Sequence, residues 1–565
     1  MTPRPVATAA TLLTILLGSG MPIAAQPAGT DSVPPDSVRR TLPPIVVTAS
    51  RLPADPRHLG VATWVLTAGD LAGEPTPYAA RALSFAPGVA IDEAAGPGGP
   101  AVLRLRGGEE PFTQVLFDGV PINISGGFLD LQGLTLTNVE RVEVARGPLS
   151  ALWGSSAMSG AVQFITRAGR VGPPRFAIEA EGGRATEYGA QARAEVTATG
   201  GSAQILYSAG LGYTYHRGIY RLPHDLATAD GSVRVDARLS DRWSLAATAR
   251  HMDIEARLPI RDPGATRVPL DPNQSDARTR TLGSVSAAWR ATPTWHHRLT
   301  AQVLRDDLVY RDQRDGVADQ TSYPFFVFDF NLRFRTALIR TSLEYVASHE
   351  VPLVRPSPLG VSYGGVWQRE DQKVAQSGDF GISNTDLDRE NGAVFVELQG
   401  RLGPRLSVLT GARVEKFQGL PAEFLPRGSL VVQIVPERLS LRAAAGRAFK
   451  APNVDQQFLE NPFTVPNPDL EPERSVSWEV GVSAVEPRRA LTVGAGYFHQ
   501  RFDGLIRTVP HEVEPKQTNE NLGRTRSSGL ELELQRAWSG RWRGGANLAW
   551  VSTRVLDNAG LSPVD

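Results

Sequence analysis

From residue 175 onward, apolar and polar residues alternate in segment after segment. Val476, Trp478, Val480, Val482 and Ala484 interleave with Ser475, Ser477, Glu479, Gly481 and Ser483. Leu530, Leu532 and Leu534 interleave with Glu531, Glu533 and Gln535, and Leu491, Val493, Ala495 and Tyr497 with Thr492, Gly494 and Gly496. Period two belongs to an extended strand, whose side chains point to opposite faces in turn. The hairpins repeat too many times for a soluble sandwich, and nothing else in the chain covers them. A sheet with its apolar face outward to lipid and its polar face inward to a lumen accounts for the pattern. Tight turns are predicted at Gly200-Gly201, Asp241-Arg242, Pro293-Thr294, Pro356-Ser357, Gly403-Pro404, Pro436-Glu437, Glu486-Pro487 and Ser539-Gly540, with longer polar loops over 216–230, 258–278 and 370–391. These turns join sixteen strands and residues 541–553 begin another, so about seventeen are expected. Trp243, Trp295, Trp538 and Trp542 stand beside the short turns, where an interfacial aromatic belt belongs.

Ahead of this region, residues 102–167 hold several short strands broken by glycine. Leu103, Leu105, Val115, Phe117, Val142, Val144, Val162 and Phe164 recur at or near period two. Asp118-Gly119 and Gly147-Pro148 are turn dipeptides. Residues 61–66 read as a strand. Thr76-Pro77 reads as an N-cap followed by proline at the first helical position, opening a short helix over 78–85 that Pro87-Gly88 ends. Gly96, Gly98 and Gly99 lack the following helix of a dinucleotide loop, and the run from Gly154 to Gly160 fails the spacing of a nucleophile elbow. The first reads as a flexible apical loop, the second as a tight crossing within a sheet.

Three strings in this stretch, RLRGG, VLFDGVP and VERVEVARGP…ALWGSSAMSGAVQFIT, stand in the order and spacing of one known domain. They resemble the plug of TonB-dependent outer-membrane receptors. The strings GRAFKAP (446–452), NPDLEPE (467–473), WEVG (478–481) and Asn521 with Gly529-Leu530-Glu531 are similar to barrel motifs of the same family, in a layout nearest to its cobalamin receptors. The resemblance implies a mainly β protein: an N-terminal α+β plug domain inside a transmembrane antiparallel β-barrel, with about 17 of the family's 22 strands present and the C-terminal strands missing. Plug-motif positions carried over are Gly107, Asp118, Gly119, Gly147, Pro148 and Gly154. Arg106 and Arg146 match the arginines of two plug motifs, and Glu479 and Glu531 match the glutamates of two barrel motifs. These four are expected to form an ion cluster across the plug–barrel interface.

The N-terminus fits that frame. Arg4, the apolar run over 6–18 and the small residues Ala24 and Ala25 read as an export signal over 1–25. Residues 26–41, rich in Pro, Ser, Asp and Thr, read as a disordered periplasmic linker. At about sixteen residues, it is too short for a signalling domain. In segment 42–50, Ile45, Val46, Val47, Thr48 and Ala49 form a β-prone string after two prolines. It resembles the TonB box, which adds as a strand to the sheet edge of a periplasmic partner. The plug is expected over 51–170 and the barrel over 171–565.

Composition narrows the chemistry. Lysine plus arginine (59) equals aspartate plus glutamate (59), so net charge offers no argument for nucleic acid. With 0 cysteines, disulfides, thiol nucleophiles and thiolate metal sites are excluded. After the first thirty residues no apolar run approaches the roughly 20 residues of a spanning helix, which leaves spanning strands untouched. No nucleophile stands beside a base, and no enzyme activity is expected. The resemblance implies active import across the outer membrane of a Gram-negative bacterium. It also implies a TonB-type periplasmic coupling protein with its inner-membrane energising complex, a small metal-chelate ligand, contact with outer-membrane lipid and a monomeric barrel. Cobalamin and a ferric siderophore are the leading ligands; nickel chelates and oligosaccharides are alternatives, as is, in a different class, an outer-membrane enzyme. Haem is disfavoured because residues 453–466 contain no histidine. No cofactor is expected, apart from a structural calcium for which Asp225, Asp230, Asp262, Asp271 and Asp276 are the candidates.

Overall fold

The computed structural model describes residues 48–52, 55–71, 78–93, 99–184, 189–218, 222–258, 273–316, 319–320, 327–351, 359–461, 463–511, 514–538 and 543–557. The N-terminal unit has seven short strands: β1 (Thr63–Thr67), β2 (Val89–Glu93), β3 (Ala101–Leu105), β4 (Thr113–Phe117), β5 (Val120–Pro121), β6 (Val139–Arg146) and β7 (Gly160–Thr166). Five form a sheet in the order β1-β6-β7-β4-β5; β2 and β3 pair separately. β4 and β7 run parallel and the other pairs antiparallel. Phe117 and Phe164 are register partners with ring centroids 4.8 Å apart. Val115, Val142, Val144 and Val162 surround them at no more than 1 % exposure. The other face is also covered: Leu116 and Ala145 pack with Leu149, Leu152 and Ala157 and reach Leu409 and Ala444 of the surrounding wall. Burial on both faces explains the unbroken apolar run at 115–117. The first strand starts two residues later than the 61–66 reading. The helix spans Ala79–Leu83 with Tyr78 at its N-cap, and Thr76 and Pro77 lie outside the described residues.

Around this unit runs a sheet of seventeen strands in barrel order. They are β8 (Gly172–Arg184), β9 (Ala190–Gly201), β10 (Ile205–Arg217), β11 (Asp225–Arg238), β12 (Trp243–Arg257), β13 (Ser275–Arg290), β14 (Trp295–Asp312), β15 (Leu332–Val351), β16 (Leu359–Gly378), β17 (Ser383–Leu402), β18 (Leu406–Phe417), β19 (Glu423–Val435), β20 (Leu439–Lys450), β21 (Glu473–Glu486), β22 (Leu491–Pro510), β23 (Gln517–Ala537) and β24 (Arg543–Asp557). A pair of two-residue strands, Asp319–Gln320 and Val327–Phe328, follows β14. Each neighbour in sequence from β8 to β24 pairs antiparallel. With an odd number of alternating strands, β8 and β24 run parallel where the ring order brings them together. These seam strands are exposed along nearly their whole described length.

The alternation resolves as read. Val476, Trp478 and Val480 are 42–50 % exposed on the outer face, while Ser475, Ser477 and Glu479 are buried on the inner one. Six of the predicted tight turns fall between two strands or at a strand end, and Pro356-Ser357 and Ser539-Gly540 lie outside the described residues. Trp243 stacks on Trp289 at 5.8 Å at the short-turn end, and Trp295 lies 4.4 Å from His349. Trp542 lies outside the described residues.

Two predicted loops are wrong in extent. Most of 370–391 is strand, with β16 ending at Gly378 and β17 starting at Ser383; β11 likewise begins at Asp225, inside the predicted 216–230 loop. Roughly 9–11 tilted residues cross the hydrocarbon, yet β15, β16 and β17 are each 20 residues long. Once two strands pair, each further residue satisfies its backbone in the same ladder, so polar composition beyond the membrane does not end the strand.

The plug–barrel interface and its N-terminal segment as candidate functional site

β3 ends in a turn where Arg106 (φ 53°) and Gly107 (φ 70°) both take left-handed conformations. A Cβ on Gly107 would stand 2.6 Å from Thr553 Oγ1 and 2.9 Å from Ser527 Oγ, so only glycine lets the turn approach the wall. The turn delivers the Arg106 guanidinium to two barrel carboxylates. Its Nε and Nη2 donate to Glu531 Oε1 and Oε2 at 2.9 and 2.8 Å, a bidentate fork, and Nη1 donates to Glu479 Oε2 at 2.5 Å. Arg146, the last residue of β6, donates through Nη1 to Glu531 Oε2 at 3.0 Å. The structure thus brings Arg106, Arg146, Glu479 and Glu531 together, each at most 4 % exposed. Burial pulls the Arg106 pKa down, and Glu531 and Glu479 beside it more than reverse this, so the group stays charged.

Three further members were not anticipated. Arg146 Nη2 donates to Glu533 Oε1 at 2.6 Å, Arg442 Nη1 donates to Glu479 Oε1 at 3.2 Å, and the backbone N–H of Ala62 donates to the same oxygen at 2.7 Å. Glu533 was legible, since it lies two residues beyond Glu531 and shares its face. The trace of Arg442 in the sequence is Gly481 of the WEVG string: a Cβ there would stand 2.8 Å from Arg442 Nε.

The other plug-motif residues fasten the sheet or fit it to the wall. Asp118 accepts from Thr166 N at 2.8 Å and Thr166 Oγ1 at 2.6 Å, tying the β4–β5 turn to the end of β7. Gly119 accepts through its carbonyl from Gln302 Nε2 at 3.1 Å. Gly147 donates to the Ser159 carbonyl, and Pro148 lies against Gly446. Gly154 (φ 78°) leaves room for Glu415 Oε2, which a Cβ would meet at 2.7 Å.

Within segment 42–50, Ile45, Val46 and Val47 lie outside the described residues, and Thr48 and Ala49 are buried. Thr48 donates from N and Oγ1 to Glu143 Oε2 at 3.1 and 2.7 Å, and its carbonyl accepts from Trp153 Nε1 at 2.8 Å. The Ala49 carbonyl accepts from Arg427 Nη2 at 3.1 Å. Arg51 follows: Nη1 pairs with Glu344 of the wall, Nη2 donates to the Leu152 carbonyl, N donates to Glu397 Oε1 at 2.9 Å, and the guanidinium lies 4.0 Å from the Phe395 ring centroid. Nothing in the sequence marked Arg51.

Beside Arg51 a small polar cavity of about 90 Å³, open in part to solvent, lies between the plug and the wall of β14–β18. Arg340, Ser342 and Glu344, Gln368 and Glu370, Arg389 and Asn391, and Arg413 and Glu415 face it, each set at period two.

Among the described residues the calcium candidates do not assemble. Asp225, Asp230 and Asp276 lie in strands β11 and β13 rather than in loops, because those strands continue past the membrane; Asp262 and Asp271 lie outside the described residues. Asp230 is committed to Arg250 Nη1 at 3.1 Å and Thr137 Oγ1 at 2.9 Å. Among the described residues no three His, Asp or Glu side chains converge on a common point.

Two family models match the chain: TonB dependent receptor-like, beta-barrel, over residues 261–563, more than half its length, and TonB-dependent Receptor Plug Domain over residues 55–161. Vitamin B12 transporter BtuB of Vibrio vulnificus is 22 % identical over 574 residues, covering 92 % of this chain and 83 % of its own. The siderophore receptor PirA of Acinetobacter baumannii superposes with a TM-score of 0.70 at 17 % identity, over 89 % of this chain and 81 % of PirA. The ferric enterobactin receptor PfeA of Pseudomonas aeruginosa does so with 0.69 at 18 %, over 90 % and 82 %.

Proposed function

The chain belongs to the TonB-dependent receptors, a family of outer-membrane transporters and not of enzymes; on that premise we propose that it imports a scarce metal chelate, cobalamin or a ferric siderophore, with energy from a TonB-type coupling protein. The similar proteins, a vitamin B12 transporter and two siderophore receptors, support that ligand class. Ligand binds from outside to the plug apex and outer loops. Segment 42–50 is then taken up as an added strand by the coupling protein, and traction on it acts on the plug. The observation that carries the reading is the seating of Thr48, Ala49 and Arg51 between plug sheet and barrel wall: residues immediately upstream are the handle of a buried, hydrogen-bonded wedge. The export signal at 1–25 and linker at 26–41 complete the proposal.

The test is Val47→Pro, which removes a backbone donor from the added strand. Radiolabelled cyanocobalamin and ferric enterobactin are given in turn to cells expressing the full chain. The expected result is that binding of one of them survives while accumulation stops. Accumulation at the unsubstituted level overturns the coupling role of the segment, and binding of neither points to a different substrate.

A further inference from the structure

The plug is held differently on its two sides, and this indicates where it opens. On the side of β20–β23, plug guanidiniums supply the charge partners of buried barrel carboxylates, so lifting the plug strands Glu531 without Arg106 and Arg146. On the side of β14–β18 the wall carries its own counter-charges. Glu370 is paired with Arg340 at 2.7 Å and Arg389 at 3.2 Å, and Glu415 with Arg413 at 2.8 Å, all within the barrel. Contacts from this wall to the plug go mostly to neutral acceptors: Gln302 to the Gly119 carbonyl, Arg340 to the Pro121 carbonyl and Arg389 to Ser125 Oγ. A neutral group moved into water regains a partner, whereas a charge left in a closed interface does not. The plug presents β5 here, the two-residue edge strand of its sheet. Among the described residues the charge pair that joins plug to wall beside the cavity is Arg51–Glu344, and Arg51 lies three residues after Thr48, where traction arrives.

We infer that the import passage opens along this cavity, between the β4–β5 edge of the plug and the β14–β18 wall, while the Arg106–Glu531 side stays closed. The proposal rests on the energised-import reading above. The lining fits the cargo class. Four guanidiniums (Arg51, Arg340, Arg389, Arg413) face three carboxylates (Glu344, Glu370, Glu415), leaving one positive charge in surplus. The buried Nε atoms of Arg51 and Arg389 have no hydrogen-bond acceptor among the described residues. Such a wall suits an oxygen-rich, neutral or anionic chelate and disfavours a lipophilic solute.

The absence of native cysteine makes the test direct. Single cysteines are placed in the full chain on the cavity side, Gln114→Cys and Asn391→Cys, and on the opposite side, Ser477→Cys and Ser527→Cys; all four native residues are at most 6 % exposed. Labelling by a small charged methanethiosulfonate is timed in cells with the coupling proteins present, with cyanocobalamin and with ferric enterobactin added in turn, before and after a protonophore. Two positions per side guard against one variant that does not fold. The expected result is a rise of at least about tenfold, dependent on the proton gradient, at 114 and 391, with 477 and 527 unchanged. An equal rise on both sides, as when the whole plug leaves, overturns the proposal, as does a rise confined to 477 and 527. If no position responds to the gradient, the energised-import reading fails and the passage with it, an outcome distinct from a rise on the wrong side.

Discussion

The wall of β20–β23 and the wall of β14–β18 are built from the same materials, arginine and glutamate at period two on inward faces, and they hold the plug in opposite ways. On the first wall Glu531 takes Arg106 and Arg146 from the plug and Glu479 takes Arg106, and these partners are enclosed. On the second, Glu370 and Glu415 find their guanidiniums within the barrel, Arg51–Glu344 alone among the described pairs there reaches the plug, and a cavity lies between wall and plug. Ion-pair content therefore does not report how firmly two units are joined. What counts is whether separating them leaves a charge without a partner in a place water does not reach, because desolvation dominates the cost.

The largest effect that would break this comparison is expected at Glu531. Glu531→Gln leaves Arg106 and Arg146 without the carboxylate they share. Loss of one member of an enclosed pair costs roughly 3–5 kcal/mol. The cost should fall on plug seating: hydrogen exchange at β3 and β6 accelerates and the plug becomes protease-sensitive, while the barrel keeps its heat-modifiable mobility. Unchanged exchange at β3 would show that the cluster is not what seats the plug.

Arg51→Ala comes next, at about 1–3 kcal/mol for a charged hydrogen bond and its stacking partner. It should free residues 48–52 to proteolysis and leave β3 protected. Release of β3 at the same time would merge the two sides into one unit.

A smaller effect is set by pH at the outer end of the cavity wall. Asp455, in the helix Val454–Phe458, accepts from Gln372 of β16 at 2.7 Å. Burial raises its pKa to about 6, against the smaller opposing effect of Gln372. The folded value lies above the unfolded one, so the carboxyl contributes stability below the unfolded value, and that contribution is lost as pH rises through about 6. Exchange of the helix amides, corrected for intrinsic rates, should be about tenfold less protected at pH 7 than at pH 5. Asp455→Asn should remove the difference; persistence of the difference in that variant would assign it to another group.

The smallest effect on plug seating is expected for Glu370→Gln. Its partners Arg340 and Arg389 belong to the wall, so plug protection should change by less than about 1 kcal/mol while the barrel bears the cost. Plug release by this variant as large as by Glu531→Gln would abolish the distinction between the two walls.

How much of this was legible follows from which interactions are local in the chain. Alternation at 475–484 and 530–535 determined strand faces, because a pleated strand has one geometry and the solvents on its two sides differ. The turn dipeptides determined the strand count of the barrel for the same reason. The four residues of the ion cluster could be named from their motifs, and Glu533 from its place two residues beyond Glu531. Strand ends were not legible: the 370–391 stretch is polar enough to pass for a loop, and its pairing is decided by the partner strand, not by its own composition. Arg51, Arg442 and the cavity were decided only by the tertiary structure. An arginine in a string such as SRLP or LSLRAAAG looks solvated until the fold sets it beside Glu344 or Glu479, nearly three hundred residues away for Arg51 and 37 for Arg442. Which wall holds the plug firmly depends on whether each carboxylate finds its guanidinium across the interface or along its own sheet, and that choice is made by register and enclosure, which no local pattern carries.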